Sequence, residues 1–439
     1  MTKSAALYLL VICALIALLL EFTHSEPLLV FIFAAIGLIP LAKLIGQSTE
    51  HLATHYGPTV ASLLNVTFGN AAEIIIGIAA ISAGLLNLVK ASIIGSIIGN
   101  ILLVFGLSLI AGGLKHKEQF FNKENTGHQS SMLFLAIIGL AVPTILAATT
   151  TKVGHQGNIQ IISDVLAFVL LGVYIASIIF TFFTHKHLFL MSSMEREENN
   201  DGERRNQGSK VSQVLDDDRV QSNDLYWSKK RSIILLGASI IGVVIVSEVL
   251  VSSVEVTIKK FGFSEMFVGA IIVGTVGNAA EHSSAIMLAR KDKLDLSIGI
   301  AAGSGTQVAI FVVPILVIAG IVADRHFNLV FTIYELAVVF LSALILNLIA
   351  HDGKGNWFEG IMLAAVYMDF SLCVKASISI CCLCYNFPNP SLFFRKRPKL
   401  VTFLSSGDNI FVGATKLMCT SLLTLFNFLR QPCKLFIMT

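Results

Sequence analysis

Two carboxylates stand where carboxylates are costly. Glu73 and Glu281 each lie inside an apolar run, and a charged side chain at a bilayer centre costs about 2.5–3.5 kcal/mol on insertion scales. Each therefore needs a partner or a function. A purely structural reading would pair them with buried Lys or Arg, but neither run offers one before Arg290. Their surroundings are duplicated. Thr67-Phe68-Gly69-Asn70-Ala71-Ala72-Glu73 recurs as Thr275-Val276-Gly277-Asn278-Ala279-Ala280-Glu281, and Gly95-Ser96 meets Gly303-Ser304 at the same spacing of about 208 residues.

Two carboxylates facing one another repel, so the pair must hold a proton or a cation between them. A divalent cation neutralises both, which makes Glu73 and Glu281 the metal ligands of this reading. Calcium takes about 6–8 hard oxygen ligands at about 2.3–2.6 Å. The side-chain oxygens of Glu73, Glu281, Asn70 and Asn278, with nearby carbonyls and water, supply that chemistry. Sulfur is absent from both motifs, which disfavours copper and leaves zinc less suited. When the metal leaves, the bare buried carboxylates take up protons, because burial disfavours their charged form. Competition for one pair of groups couples proton to metal, and a site that changes sides only when loaded is an antiporter. No cofactor is called for; calcium and protons are the transported ions.

Supporting residues carry two readings each. Asn70 and Asn278 fall three positions before their Glu, on the same helical face if the helix is regular there, where they serve as ligands or as packing amides. Ser96, Asn100, Ser304 and Gln307 lie in the small-residue spans that follow, and they complete a coordination shell or bond helix to helix. His282 relays protons or packs as an imidazole. Glu50, His51 and His55 place two histidines at i and i+4 but do not make HExxH, so they read as a polar helix end. An intramembrane metalloenzyme needs His or Cys ligands and an activated water. The two motifs hold one His between them, so the chain reads as no enzyme.

The elements that position these residues are membrane spans. The 439 residues are 55% hydrophobic and 13% charged, against roughly 25% charged in a soluble domain. Apolar runs near the ~20-residue spanning length recur throughout. The net charge of +3, with no basic patch interleaved by aromatics, sets nucleic acid aside as a partner. The seven cysteines include no zinc-type pair of CxxC motifs and suggest no disulfide framework.

Hydropathy predicts an all-α polytopic membrane protein with spans near Ala5 to Leu20, Leu28 to Ile45, Thr59 to Leu86, Ala91 to Leu114, Ser131 to Thr149 and Ile159 to Thr184. Ser232 to Ser252, Met266 to Leu288, Ser297 to Ile321, Thr332 to Ile349 and one from Trp357 follow, for about eleven. The first run is followed by Glu21 rather than a cleavage site and reads as a retained helix. The short segment before it leaves no room for a long inhibitory extension.

The chain divides into a leading helix (1–26), a first repeat (27–184), a charged linker (185–231), a second repeat (232–367) and a divergent tail (368–439). Two sets of five helices place the copies in opposite orientation, as inverted repeats. Their motifs meet at helices interrupted by small residues, and Gly69 and Gly277 sit where those breaks are expected. Sidedness gathers Lys115, Lys117, Lys123, the linker cations, Arg290, Lys291, Lys293 and Lys354 on one face. Lys90, Lys152, Lys259, Lys260 and Arg325 fall on the other. The positive-inside rule then places the amino terminus and linker in the cytoplasm. Arg395, Lys396, Arg397 and Lys399 break the scheme if the eleventh span is present.

These motifs resemble the cation/calcium exchanger superfamily, in particular its calcium/proton exchangers, the cation exchanger family. GPTVASLLNVTFGNAAEIIIGIAA is similar to the family's first conserved motif and VGTVGNAAEHSSAIMLARKDKLDLSIGIAAGSGTQVAIFVVP to its second. The match runs from Glu50 to Glu359 and includes the charged linker between the copies. The resemblance implies Glu73 and Glu281 as paired cation and proton carboxylates, with Asn70 and Asn278 beside them and Ser96, Ser304 and Gln307 as lining residues. It implies one leading helix plus five and five, with calcium as the usual substrate and manganese or other divalent ions also fitting.

After Tyr367 the chain departs from the pattern, with Met368-Asp369-Phe370-Ser371, Lys375, a cysteine cluster and a basic tail where a closing helix is usual. A calcium/sodium exchanger shares the twin acidic motifs, but the GNAAE form and GNAAEHSSA favour protons. A passive channel assembles its carboxylates from several subunits, whereas a duplication within one chain favours alternating access. Such a protein sits in the lipid of a cell membrane or a vacuolar membrane; its oligomeric state is not legible.

Overall fold

Hydrocarbon offers no partner to backbone N–H and C=O groups, so a chain this apolar must satisfy them within itself, and helices do so. The computed structural model describes residues 3–56, 58–149, 156–184 and 227–385, and it is all-α apart from one short strand pair. Residues 185–226 of the linker, and the tail beyond Tyr385 with its basic run, lie outside the described residues. Seven described helices are long and apolar enough to cross a membrane: Pro27–Ala53, Leu86–Gly113, Lys123–Thr149, Ile159–Ile179, Lys229–Phe261, Leu294–Val322 and Ile333–Asp352.

In chain order the helices are α1 (Lys3–Phe22), α2 (Pro27–Ala53), α3 (Pro58–Gly69), α4 (Ala71–Ser82), α5 (Leu86–Ile98), α6 (Phe105–Gly113), α7 (Lys123–Thr149) and α8 (Gln156–Ile179). The second half supplies α9 (Lys229–Phe261), α10 (Glu265–Phe267), α11 (Gly274–Arg290), α12 (Leu294–Gln307), α13 (Val313–Val322), α14 (Ile333–Asp352) and α15 (Trp357–Tyr385). Two strands, β1 (Gln119–Phe120) and β2 (Lys354–Gly355), pair antiparallel with Gln119 opposite Gly355. Helix α15 passes through Tyr367 without interruption. The described residues up to Phe370 belong to one compact unit, and Ser371–Tyr385 to a second.

Repeat-equivalent helices pack on each other, α2 along α9 and α7 along α14, while α1 lies on α2. The outer faces of α7 and α8 expose Leu135, Ile138, Val142, Ile161, Val165 and Phe168, the apolar surface that lipid would cover. Wide, π-helical turns interrupt the motif-bearing spans at Gly99–Val104, Val268–Val273 and Val308–Val312. Such turns loosen the regular ladder and are frequent at functional sites. The turn 268–273 lies directly against α5. Their backbones come so close that a Cβ on Gly95 would collide with the Ala270 carbonyl, so only glycine admits this approach.

The expected break at Gly277 is corrected here. Helix α11 runs unbroken from Gly274 to Arg290, and the second copy's irregularity lies upstream, in the 268–273 turn. In the first copy α3 ends at Gly69, and Asn70 leaves helical geometry with φ −92° and ψ 8°. The two copies share a sequence but not a break point: a wide turn absorbs in one what an interruption absorbs in the other.

Candidate cation site

Four elements converge on the twin motifs. Helix α4 carries Glu73 in its first turn, where the unpaired N–H groups of a helix start favour negative charge. Helix α11 carries Asn278, Glu281 and His282; α5 and the turn after it carry Ser96 and Asn100; α12 carries Ser304 and Gln307.

The contacts run across the repeats. Asn278 Nδ2 donates to Glu73 Oε1 at 2.6 Å, so the amide of one motif holds the carboxylate of the other rather than its own. Ser96 stands beside Glu73 and Ser304 beside Glu281. The glycines take part as well. A Cβ on Gly277 would lie 2.9 Å from Glu73 Cγ, and one on Gly69 would lie 3.1 Å from Glu281 Oε1. Each carboxylate thus rests on the glycine of the opposite copy, as an approximate two-fold axis between them requires.

Polar neighbours tie the frame together. Asn70 Nδ2 donates to Gln307 Oε1 at 2.7 Å and Asn100 Nδ2 to Ser304 Oγ at 3.0 Å. His282 Nε2 lies 3.1 Å from Asn100 Oδ1, so Ser304, Asn100 and His282 form one chain of contacts. Asn70, Ser96, Asn100, Asn278, His282 and Ser304 are all buried. Asn70 sits off the end of α3 rather than on a regular helical face with Glu73; Asn278 and Glu281 do share a face of the unbroken α11, and from there Asn278 bonds Glu73 across the repeats.

Glu73 and Glu281 are partly buried as residues, but one oxygen of each, Oε2, is enclosed and accepts no hydrogen bond. Among the described residues no Lys, Arg or His forms an ion pair with either. Buried acceptors left unsatisfied cost about 1–3 kcal/mol each, more when charged, so the arrangement asks for a cation or protons. Among the described residues no cluster of three or more His, Cys, Asp or Glu gathers; the donor set is two carboxylates with amides, hydroxyls and carbonyls. Those are hard oxygen ligands, suited to calcium.

The sequence left one participant unseen. The Gly274 carbonyl accepts from both Ser96 Oγ and Asn278 Nδ2, each at 3.3 Å, and a backbone oxygen has no signature of its own. His51 and His55 do not join the site: His51 stacks on Trp227 with ring centres 4.5 Å apart, and His55 Nε2 lies 3.1 Å from the Trp227 carbonyl.

Comparison with known proteins gives a consistent picture. Residues 26–183 and 231–374 match the family described as sodium/calcium exchanger protein. The chain is 38% identical over 372 residues to a Ca(2+)/H(+) antiporter of Aphanothece halophytica, covering 85% of this chain and 96% of that one. It is 35% identical over 354 residues to vacuolar cation/proton exchanger 3 of Oryza sativa subsp. japonica, covering 80% and 81%. Among solved structures, native YfkE aligns with a TM-score of 0.68 at 33% identity, across 84% of this chain and 99% of that chain.

Proposed function

The chain belongs to the sodium/calcium exchanger protein family, and from that premise we propose that it is a secondary active antiporter exchanging calcium for protons across a membrane. The observation that carries this reading is the pair Glu73 and Glu281, each seated against the glycine of the other repeat with an enclosed, unsatisfied oxygen. Empty and doubly charged, the pair is unfavourable in an apolar core. Loaded with calcium or with protons it is neutralised, and only then does alternating access carry it across. Asn278 orients Glu73. Ser304, Asn100 and His282 form a hydrogen-bonded row in the second copy, where Glu281 is followed by a histidine and Glu73 by Ile74.

The relatives named above are called calcium/proton and cation/proton exchangers, which favours protons over sodium as the coupling ion. The protein is integral to a membrane, a cell membrane or a vacuolar one, and the distribution of Lys and Arg between its loops favours a cytoplasmic amino terminus and linker.

Vesicles bearing the full chain, acidified inside, test the reading. Calcium uptake should appear, collapse with a protonophore and vanish in Glu73→Gln and in Glu281→Gln. Uptake driven by a sodium gradient but not by a proton gradient would assign the chain to calcium/sodium exchange instead.

A further inference from the structure

The duplication extends beyond the twin motifs into the loops that follow. Gly112 and Gly320 stand at the repeat spacing of about 208 residues, and so do Gln119 and Phe327. In each copy the glycine makes room for its later partner. A Cβ on Gly320 would lie 2.9 Å from Phe327 Cβ, and one on Gly112 would collide with Gln119 Oε1. Both partners are 1% exposed. Phenylalanine is the residue an apolar pocket accepts without cost; glutamine is the departure, because a buried amide must recover its hydrogen bonds from the protein.

Gln119 recovers the bonds of its donor from the other repeat, while its buried Oε1 accepts none. Its Nε2 donates to the Ala289 carbonyl and to Asp292 Oδ1, each at 2.9 Å, while its backbone is held in β1. Ala289 belongs to the last turn of α11. Asp292 follows that helix at φ 61°, a left-handed geometry that Asp tolerates and that backbone bonds from Asp292 N–H to the Ala289 carbonyl and from Lys293 N–H to the Leu288 carbonyl close; the Gln119 amide binds this turn from the other repeat. Lys115 Nζ reaches the Arg290 carbonyl at 3.4 Å, and the Asn122 N–H donates to Asp295 Oδ1 at 2.8 Å. The foot of α11 is therefore pinned to the first repeat at one buried side chain, with an exposed tie from Lys115 beside it and a part-buried tie from Asn122 to the start of α12. Phe327 offers the equivalent turn, near Ser82, no such amide.

We propose that Gln119 is a positioning residue for the exchange reaction: by holding Ala289 and Asp292 it sets where α11, and with it Asn278 and Glu281, stands against Glu73 and Ser96. Glu281 lies about 12 Å up the same helix from Ala289, at 1.5 Å per residue, and a helix transmits an axial shift with little loss. Calcium–oxygen distances tolerate only about 0.3 Å, so a small slip of the helix changes the cation shell. The inference rests on the exchanger reading given above.

Proteoliposomes containing the full chain test it through calcium KM and maximal rate. Gln119→Glu sets a carboxylate against Asp292 and the Ala289 carbonyl and should raise KM by about tenfold, the worth of one good hydrogen bond. Asp292→Asn keeps an acceptor for Gln119 and should leave KM within about twofold. Gln119→Glu combined with Asp292→Asn restores the bond to position 292 with donor and acceptor exchanged but leaves the Ala289 carbonyl without its donor, so KM should return part of the way to wild type. Gln119→Met, which keeps the volume, should raise KM with little change in maximal rate per folded molecule, and it decides the matter if Gln119→Glu does not accumulate. A structural role alone would lower protein yield and leave KM in place. Wild-type exchange with unaltered KM in the Gln119 variants overturns the positioning role and leaves the exchanger reading standing; a wild-type chain that moves no calcium overturns both.

Discussion

Replacing Gly277 by alanine sets helix stability and cation binding in opposite directions. Gly277 lies inside α11 and is not among the residues with positive φ, so alanine fits the backbone and favours the helix by about 1 kcal/mol. Its Cβ, however, would stand 2.9 Å from Glu73 Cγ. Carbon atoms rest at about 3.5–4.0 Å, so Glu73 must retreat by about 0.6 Å or more. That retreat begins at Cγ, near the root of the side chain, and carries both carboxylate oxygens with it. It is about twice the tolerance of calcium–oxygen distances and stretches the 2.6 Å bond from Asn278.

Misplacement on this scale costs about ten- to a hundredfold in function. The expected result for Gly277→Ala is a chain that melts no lower than wild type in detergent and whose KM for proton-driven calcium uptake rises at least about tenfold. Gly299→Ala is the control, since a Cβ there meets nothing within 4 Å, and it should leave uptake unchanged. Gly69→Ala is intermediate, because it meets only the tip of Glu281 at 3.1 Å and a tip can turn aside. A Gly277→Ala chain with wild-type KM, or a Gly299→Ala chain with the same loss, would refute the reciprocal seating of carboxylate on glycine.

Asn278→Ala removes a charge-assisted donor worth about 1.5–3 kcal/mol and should weaken calcium uptake by roughly ten- to a hundredfold, read as KM in the same vesicles. Because the carboxylates bind metal only when deprotonated, apparent calcium KM should rise as the loading side is acidified, and a KM flat between about pH 8 and pH 6 would contradict shared occupancy. Lys90→Met removes donors to Asn328 Oδ1 at 2.7 Å and to the Val330 carbonyl at 2.9 Å. It should lower detergent stability by about 1–3 kcal/mol, measured by thermal unfolding, without a matching change in KM.

The chemistry of the site was legible because charge inside an apolar run is costly wherever the run ends up. Glu73 and Glu281 announced themselves on that ground, and the constant spacing of GNAAE and of Gly-Ser joined them into one duplicated unit. Local pattern also announced the helices, since apolar runs in lipid have few other ways to satisfy their backbones. What each side chain touches was not legible. Asn278 sits three residues from Glu281 in sequence but holds Glu73, and Gly277 reads as a break but lies inside a helix whose irregularity is several residues upstream.

Gln119 carries no signal of its own in the sequence. Only the match of Gly112 and Gln119 to Gly320 and Phe327 at the repeat spacing hinted otherwise. Spacing along a chain fixes neighbours within one helix, whereas contacts between residues about 200 positions apart depend on how helices cross and how closely their backbones approach. The amino-acid sequence by itself determined that two carboxylates would be buried in a duplicated, membrane-spanning helical chain. The tertiary structure alone decided that each would rest on the other copy's glycine and that Asn278 of the second copy would hold the carboxylate of the first, because those distances are set by packing between the halves and not by order along either.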